Sequence, residues 1–169
     1  MKSRPCSKLT GPNGQSVVEL ALVLPFLVVL MLGLVDLSRA IQAHNIIANM
    51  SREGANLRSR TSLDDQDIMN SLANTAQPLA MSSKGMMYII KVQGVAGSDP
   101  IIKAVAWEKG SGPNSTVDVS YVSKMLGNRK IEDKDNLYIF EIFYKYDSLF
   151  KPSGYYGGLS PQLHSVSIF

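Results

Sequence analysis

With 169 residues and a formal charge of only +3, the chain is too short for several large domains and lacks the basic excess of a nucleic-acid-binding protein. Three of its cations, Lys2, Arg4 and Lys8, fall in residues 1–14 with no acid beside them, so the pI of about 9.0 reports a basic tail and leaves the remainder near neutral. The only cysteine, Cys6, lies in that tail; no intrachain disulfide can form, and any folded domain must be held by its core.

Residues 17–35 form an apolar run of about 19 residues, matching a hydrocarbon layer of ~30 Å, and Glu19 is its single charge. A lone carboxylate in such a span is costly and is kept where something specific neutralises it. Four readings compete for the run. A cleaved secretory signal finds a small-x-small mimic at Ser38-Arg39-Ala40, but its apolar core is too long, and Asp36 and Arg39 intrude before the cut. A buried helix of a soluble protein does not explain so long a run with one charge. An uncleaved signal anchor explains length and orientation and leaves Glu19 and Gly14 as accidents. The fourth reading is a prepilin-type signal: basic leader, Gly14 at the junction, Glu19 five residues into the mature chain, then a long apolar helix. If the chain is cut after Gly14, Gln15 carries a free α-amine one helical turn from Glu19, at the spacing of an amine–carboxylate pair. Lys2, Arg4 and Lys8 before the run, against Arg39 and Arg52 after it, predict a cytoplasmic N-terminus and an outer C-terminus.

The helical pattern continues past the run. Ala43, Ile46, Ile47, Met50, Gly54 and Leu57 recur at three- and four-residue spacing, with Gln42, Asn45, Asn49, Arg52, Glu53 and Asn56 between them. A helix over residues 15–58 is roughly 65 Å long and exceeds the bilayer, so its outer half needs a partner surface. Pro25 stands inside this helix, where it lacks the N–H for the Ala21 carbonyl and is expected to kink or loosen the span.

At these residues the chain resembles a known family. Gly14-Gln-Ser-Val-Val-Glu-Leu-Ala-Leu-Val-Leu-Pro25, then Gly33-Leu-Val-Asp-Leu-Ser-Arg-Ala40, then Ala48-Asn-Met-Ser-Arg-Glu-Gly-Ala55 with Arg58, is similar to the N-terminal signature of the TadE-like proteins, minor pilins or pseudopilins of tight-adherence (Flp-type) pilus systems. The resemblance covers residues 14–60. It implies cleavage after Gly14 by a prepilin peptidase, with Glu19 assisting assembly. The family often places an aromatic after the glutamate; Leu20 stands there.

The remainder reads as α+β. Ser62 is the expected N-cap of a second helix, with Asp64, Asp65 and Asp67 in its first turns and Ile68, Leu72, Ala76 and Leu79 as its apolar stripe, ended by Pro78 and Lys84-Gly85. Strands are expected over residues 86–92, 101–107, 116–122 and 137–146. The last puts Tyr138, Phe140, Ile142, Tyr144 and Tyr146 on one face and Ile139, Glu141, Phe143 and Lys145 on the other. Residues 124–136 read as an exposed charged loop. The expected architecture is a long N-terminal transmembrane helix continuing into a small pilin-like domain, its three- or four-stranded antiparallel sheet wrapped against the outer half of the helix. The corresponding segments are a leader over 1–14, the long helix over 15–60 and the extracytoplasmic domain over 61–169.

Catalytic and metal chemistry find little support, and no cofactor is expected. His44 and His164 stand far apart, neither at the spacing of a metal site or a nucleophile–base pair. A helix N-terminus accounts for the acids at 64, 65 and 67. Asn49-Met-Ser51 and Asn114-Ser-Thr116 match the glycosylation triplet, a frequent chance pattern. Tyr155-Tyr156-Gly-Gly158 reads as a flexible glycine-rich loop in preference to an adhesive one. The resulting expectation is a non-enzymatic, inner-membrane minor pilin or pseudopilin. Its partners would be the prepilin peptidase, other major and minor pilins, the inner-membrane assembly platform and the lipid bilayer. An unprocessed signal-anchored periplasmic interaction protein is the second reading, and a general-secretion pseudopilin the third.

Overall fold

A computed structural model describes residues 12–95, 98–127, 131–132, 135–149 and 161–169. The first described element is one long helix, α1 (Pro12–Arg60), which runs on through Pro25 and ends with Arg58 and Arg60 in its last turn, where cations suit the carbonyl end of the helix dipole. Two compact units are present, one ending at Ser38 and the other spanning Arg39–Phe169.

In the first unit the apolar side chains of α1 point outward all round, Phe26 being 73 % and Met31 70 % exposed. A core helix of a water-soluble domain buries one stripe; this one buries none. Among the described residues α1 is the helix long and apolar enough to cross a membrane.

The second unit is α+β. From Arg39 onward α1 becomes one-sided: Ala43, Ile47, Met50 and Ala55 are buried, while Gln42, Asn45, Asn49, Arg52 and Glu53 stay exposed. It is followed by α2 (Asp65–Thr75), the short α3 (Met81–Lys84), β1 (Gly85–Gln93), β2 (Ile101–Ala106), α4 (Val119–Leu126), β3 (Asn136–Lys145) and β4 (Gln162–Ile168). The strands form one antiparallel sheet in the order β2-β1-β3-β4, with Met87 opposite Ile142, Ile89 opposite Phe140, and Phe140 opposite Ser167. Because side chains alternate, this register sorts the sheet into two faces. Met87, Ile89, Phe140, Ile142 and Tyr144 share one core with α1 and α2. Tyr88, Ile90, Val92, Ile139 and Phe143 share a second with Val117 and Val122 at α4. Both faces are therefore covered, and the alternation expected for residues 137–146 is the one observed. Trp107, just past β2, is buried and donates Nε1–H to Asn70 Oδ1 of α2 at 3.1 Å.

Several local expectations need correction. The N-cap of α2 is Asp64, whose side chain accepts the Gln66 N–H at 3.0 Å; a carboxylate already inside the dipole's reach displaced Ser62 from the role. That helix stops at Thr75, and Met81–Lys84 is a separate turn. The segment 116–122 is no strand. Its β-branched Thr116, Val117, Val119 and Val122 suggested one, but Asp118 accepts the Tyr121 N–H at 2.6 Å and starts a helix whose buried Val122 faces the sheet. The charged stretch 124–136 thus begins inside α4. The fourth strand is β4, whose apolar alternation is diluted by Ser165 and Ser167.

Candidate functional site

The residues singled out at the N-terminus, Gly14, Gln15, Glu19 and Pro25, all lie on α1. The Gln15 amide Nε2 donates to Glu19 Oε1 at 3.1 Å across one turn. The Glu19 carboxylate thus has a polar partner in the side-chain amide one turn before it. Most of the basic leader lies outside the described residues, as does the aromatic loop at Tyr155 and Tyr156.

Farther along, α1 meets the sheet through three unlike contacts. A Cβ placed on Gly54 would stand 2.5 Å from the Phe140 ring, so the absence of a side chain there sets how closely the helix lies on β3. One turn earlier Ser51, fully buried, bonds the Ala48 carbonyl at 3.0 Å and the hydroxyls of both Ser165 and Ser167 at 2.8 Å. A hydroxyl has one proton and two acceptor sites; with the proton on Ala48 O, both β4 serines donate to Ser51 and its valences are filled. One turn later Arg58 pairs with Asp65 of α2 at 2.6 Å and lies over the Tyr138 ring, 5.3 Å from its centroid. Burial pushes the Asp65 carboxyl up in spite of that pair, because desolvation outweighs the attraction of Arg58 and Asp64 adds repulsion.

On the opposite face Glu141, fully buried in mid-strand, accepts hydrogen bonds from Ser115 Oγ and Thr116 Oγ1, both at 2.5 Å, from the Thr116 N–H at 3.2 Å and from His164 Nε2 at 2.9 Å. His164 stacks flat on Phe143 with ring centroids 4.5 Å apart. Burial, and secondarily the nearby Glu141 carboxylate, raise the phenol of Tyr88, which donates to the Pro113 carbonyl. A serine, a histidine and an acid in contact invite comparison with a nucleophilic triad, but the connectivity differs. Ser115 and His164 both end on the carboxylate instead of forming a serine–histidine–acid relay, and Ser115 Oγ also accepts the Val117 N–H at 3.2 Å. What the arrangement does is tie the 115–117 segment and the edge strand β4 to the centre of the sheet. His164 carries no spacing signal in the sequence; the available signal is Glu141 itself, an acid between Ile139 and Phe143 on a face that ends in Lys145. His44, by contrast, is exposed on α1. Among the described residues no cluster of three or more His, Cys, Asp or Glu side chains could hold a metal.

Comparison with known proteins bears on α1 alone. No curated protein and no solved structure matches the chain. Residues 14–56 match the family model described as TadE-like protein, from the Gly14 junction through the apolar run to the turn containing Ser51 and Gly54. The chain therefore carries a TadE-like N-terminal segment, which fits a protein associated with tight-adherence pili.

Proposed function

We propose that this chain is a minor pilin or pseudopilin that takes part, without enzymatic activity of its own, in assembly of a tight-adherence pilus or a related secretion machine. The observation that carries the reading is the coincidence of the TadE-like match with a single helix that is apolar and exposed in its first unit and one-sided in its second. In this reading the leader stays in the cytoplasm, the apolar run spans the inner membrane and the α+β domain stands in the periplasm. A prepilin peptidase cuts after Gly14, where glycine lets the protease approach the backbone. The new α-amine of Gln15 then pairs with Glu19, its own or that of a neighbouring subunit, as α1 packs among other pilin helices. Pro25 leaves the Ala21 carbonyl without its helical donor and gives the span a point of adjustment.

The deciding experiment is N-terminal sequencing of the protein from cells with and without the peptidase. The expected result is a chain beginning at Gln15 in the first and Met1 in the second, with Gly14→Leu uncut in both. An intact leader in peptidase-competent cells would leave an unprocessed, signal-anchored periplasmic interaction protein.

A further inference from the structure

At the end of the second unit where α1 enters it, α1, α3 and the end of β3 enclose a groove of about 180 Å³ lined by Arg39, Gln42, Leu79, Lys84, Tyr146 and Asp147, among others. Its three charged linings, two cations and one carboxylate, leave a net of +1. The groups are not equivalent. Lys84 Nζ is held by Asp147 Oδ2 at 2.8 Å; that hydrogen bond, with the carboxylate's charge, keeps the ammonium above its usual range, so it stays charged and fixed in place with donors to spare. Arg39 is exposed and brings a planar guanidinium, whose fork matches two oxygens of a phosphate. Gln42, one turn away on the same helix, adds an exposed amide. The remaining wall is apolar, including Ala43, Ile46, Pro78 and Leu79. A single-charge anion with an apolar continuation suits such a lining better than a multiply charged soluble one.

We propose that this groove receives the phosphate of an anionic phospholipid headgroup in the leaflet that the domain faces. The inference rests on the membrane-spanning reading of α1. Arg39 is the first cation after the apolar run and follows its last residue, Val35, by four residues, a rise of about 6 Å along a helix, which sets its Cα at headgroup level when the run fills the hydrocarbon. Leu37, 57 % exposed on the membrane side of Arg39, gives the acyl boundary an apolar neighbour. Cations at headgroup depth attract acidic headgroups by the same electrostatics that act on juxtamembrane basic segments.

The test uses the full chain in nanodiscs of phosphatidylcholine with and without phosphatidylglycerol, followed by native mass spectrometry of the lipids it retains. Phosphatidylglycerol should be retained preferentially. The pair Arg39→Gln and Lys84→Gln should lower that retention roughly tenfold or more, each basic residue contributing on the order of 1 kcal/mol. Lys103→Gln, on exposed β2, should leave it unchanged, and Arg39→Lys with Lys84→Arg should keep most of it. Circular dichroism of each variant confirms that the domain is folded. Retention that survives the double Gln variant overturns the proposal. So does displacement by inorganic phosphate with no preference between the lipids, which would make the ligand a free anion. Recovery of the wild-type chain outside the membrane fraction would overturn the membrane-spanning reading, and this site with it; unselective lipid retention by a membrane-bound chain overturns the site alone.

Discussion

Gly54 of α1 and Phe140 of β3 meet so closely that a methyl group on the glycine would lie 2.5 Å from the aromatic ring. Helix propensity alone favours alanine at that position by about 1 kcal/mol. Overpacking a filled core costs about 1–3 kcal/mol, and the ring, fully buried, has little room to retreat. The second effect wins. Gly54→Ala should lower stability by roughly 1–2 kcal/mol in denaturant titrations, and Phe140→Leu in the same chain should recover part of the loss. Additive effects of the two changes would show that the contact is not the cause.

Ser51 is the polar counterpart of that contact. Replacing it with alanine removes the acceptor shared by Ser165 and Ser167 and should cost on the order of 1 kcal/mol. Because both partners sit on the edge strand, amide exchange should accelerate in β4 before β1. Uniform acceleration across the sheet would refute a local role for the hydroxyl.

Glu141 tolerates change only if its donors keep an acceptor. Glu141→Gln retains a carbonyl oxygen and most of the volume, whereas Glu141→Ala removes the one buried acceptor that the Ser115 and Thr116 hydroxyls and the His164 ring N–H share. The alanine variant should lose about 1–3 kcal/mol, and the glutamine variant less. Equal melting temperatures for the two would contradict this account.

The hydrogen bonds that Asp118 accepts, chiefly from the Tyr121 N–H and then from the Ser120 hydroxyl, hold its carboxyl below the ordinary value of 3.8. A carboxyl depressed by folding binds fewer protons in the folded state, so its contribution is complete above the unfolded value and fades as the pH falls through the folded one. Thermal melts of wild type and Asp118→Asn should therefore run parallel near neutral pH and converge in the acid limb below 3.8. A constant gap down that limb would exclude the carboxylate as the source.

Glu19→Ala should leave membrane insertion intact or slightly improved, since it removes a charge from an apolar span. Pilus assembly should nevertheless fall, because the α-amine of Gln15 loses its counter-charge in a low-dielectric setting. Normal piliation by a variant that inserts normally would strip Glu19 of its assembly role.

Periodicity made the α1 stripe and both faces of residues 137–146 legible, because each element is long enough for its apolar positions to repeat several times. The failures share a cause. Thr116, Val117 and Val119 have strand propensity, but a single cap at Asp118 redirects the backbone, and one hydrogen bond outweighs several weak preferences. In β4, Ser165 and Ser167 face the core as hydroxyls that complete Ser51, so the inward face does not read as apolar. Glu141 was visible as an anomaly, yet Ser115, Thr116 and His164 reach it only through tertiary folding. The TadE-like stretch was legible from Gly14 to its end because leader, glycine, acid and span occur in a fixed order.

Trp107 is the only tryptophan in the chain, and it is 3 % exposed, with its indole N–H bound to Asn70. Tryptophan emission from this protein consequently originates at one point, the joint between α2 and the end of β2. A red shift on heating or in denaturant reports the opening of that joint and nothing from the apolar half of α1, which contains no indole. The melting of the α+β domain can thus be followed optically in the purified protein in micelles, free of any contribution from the apolar half of α1.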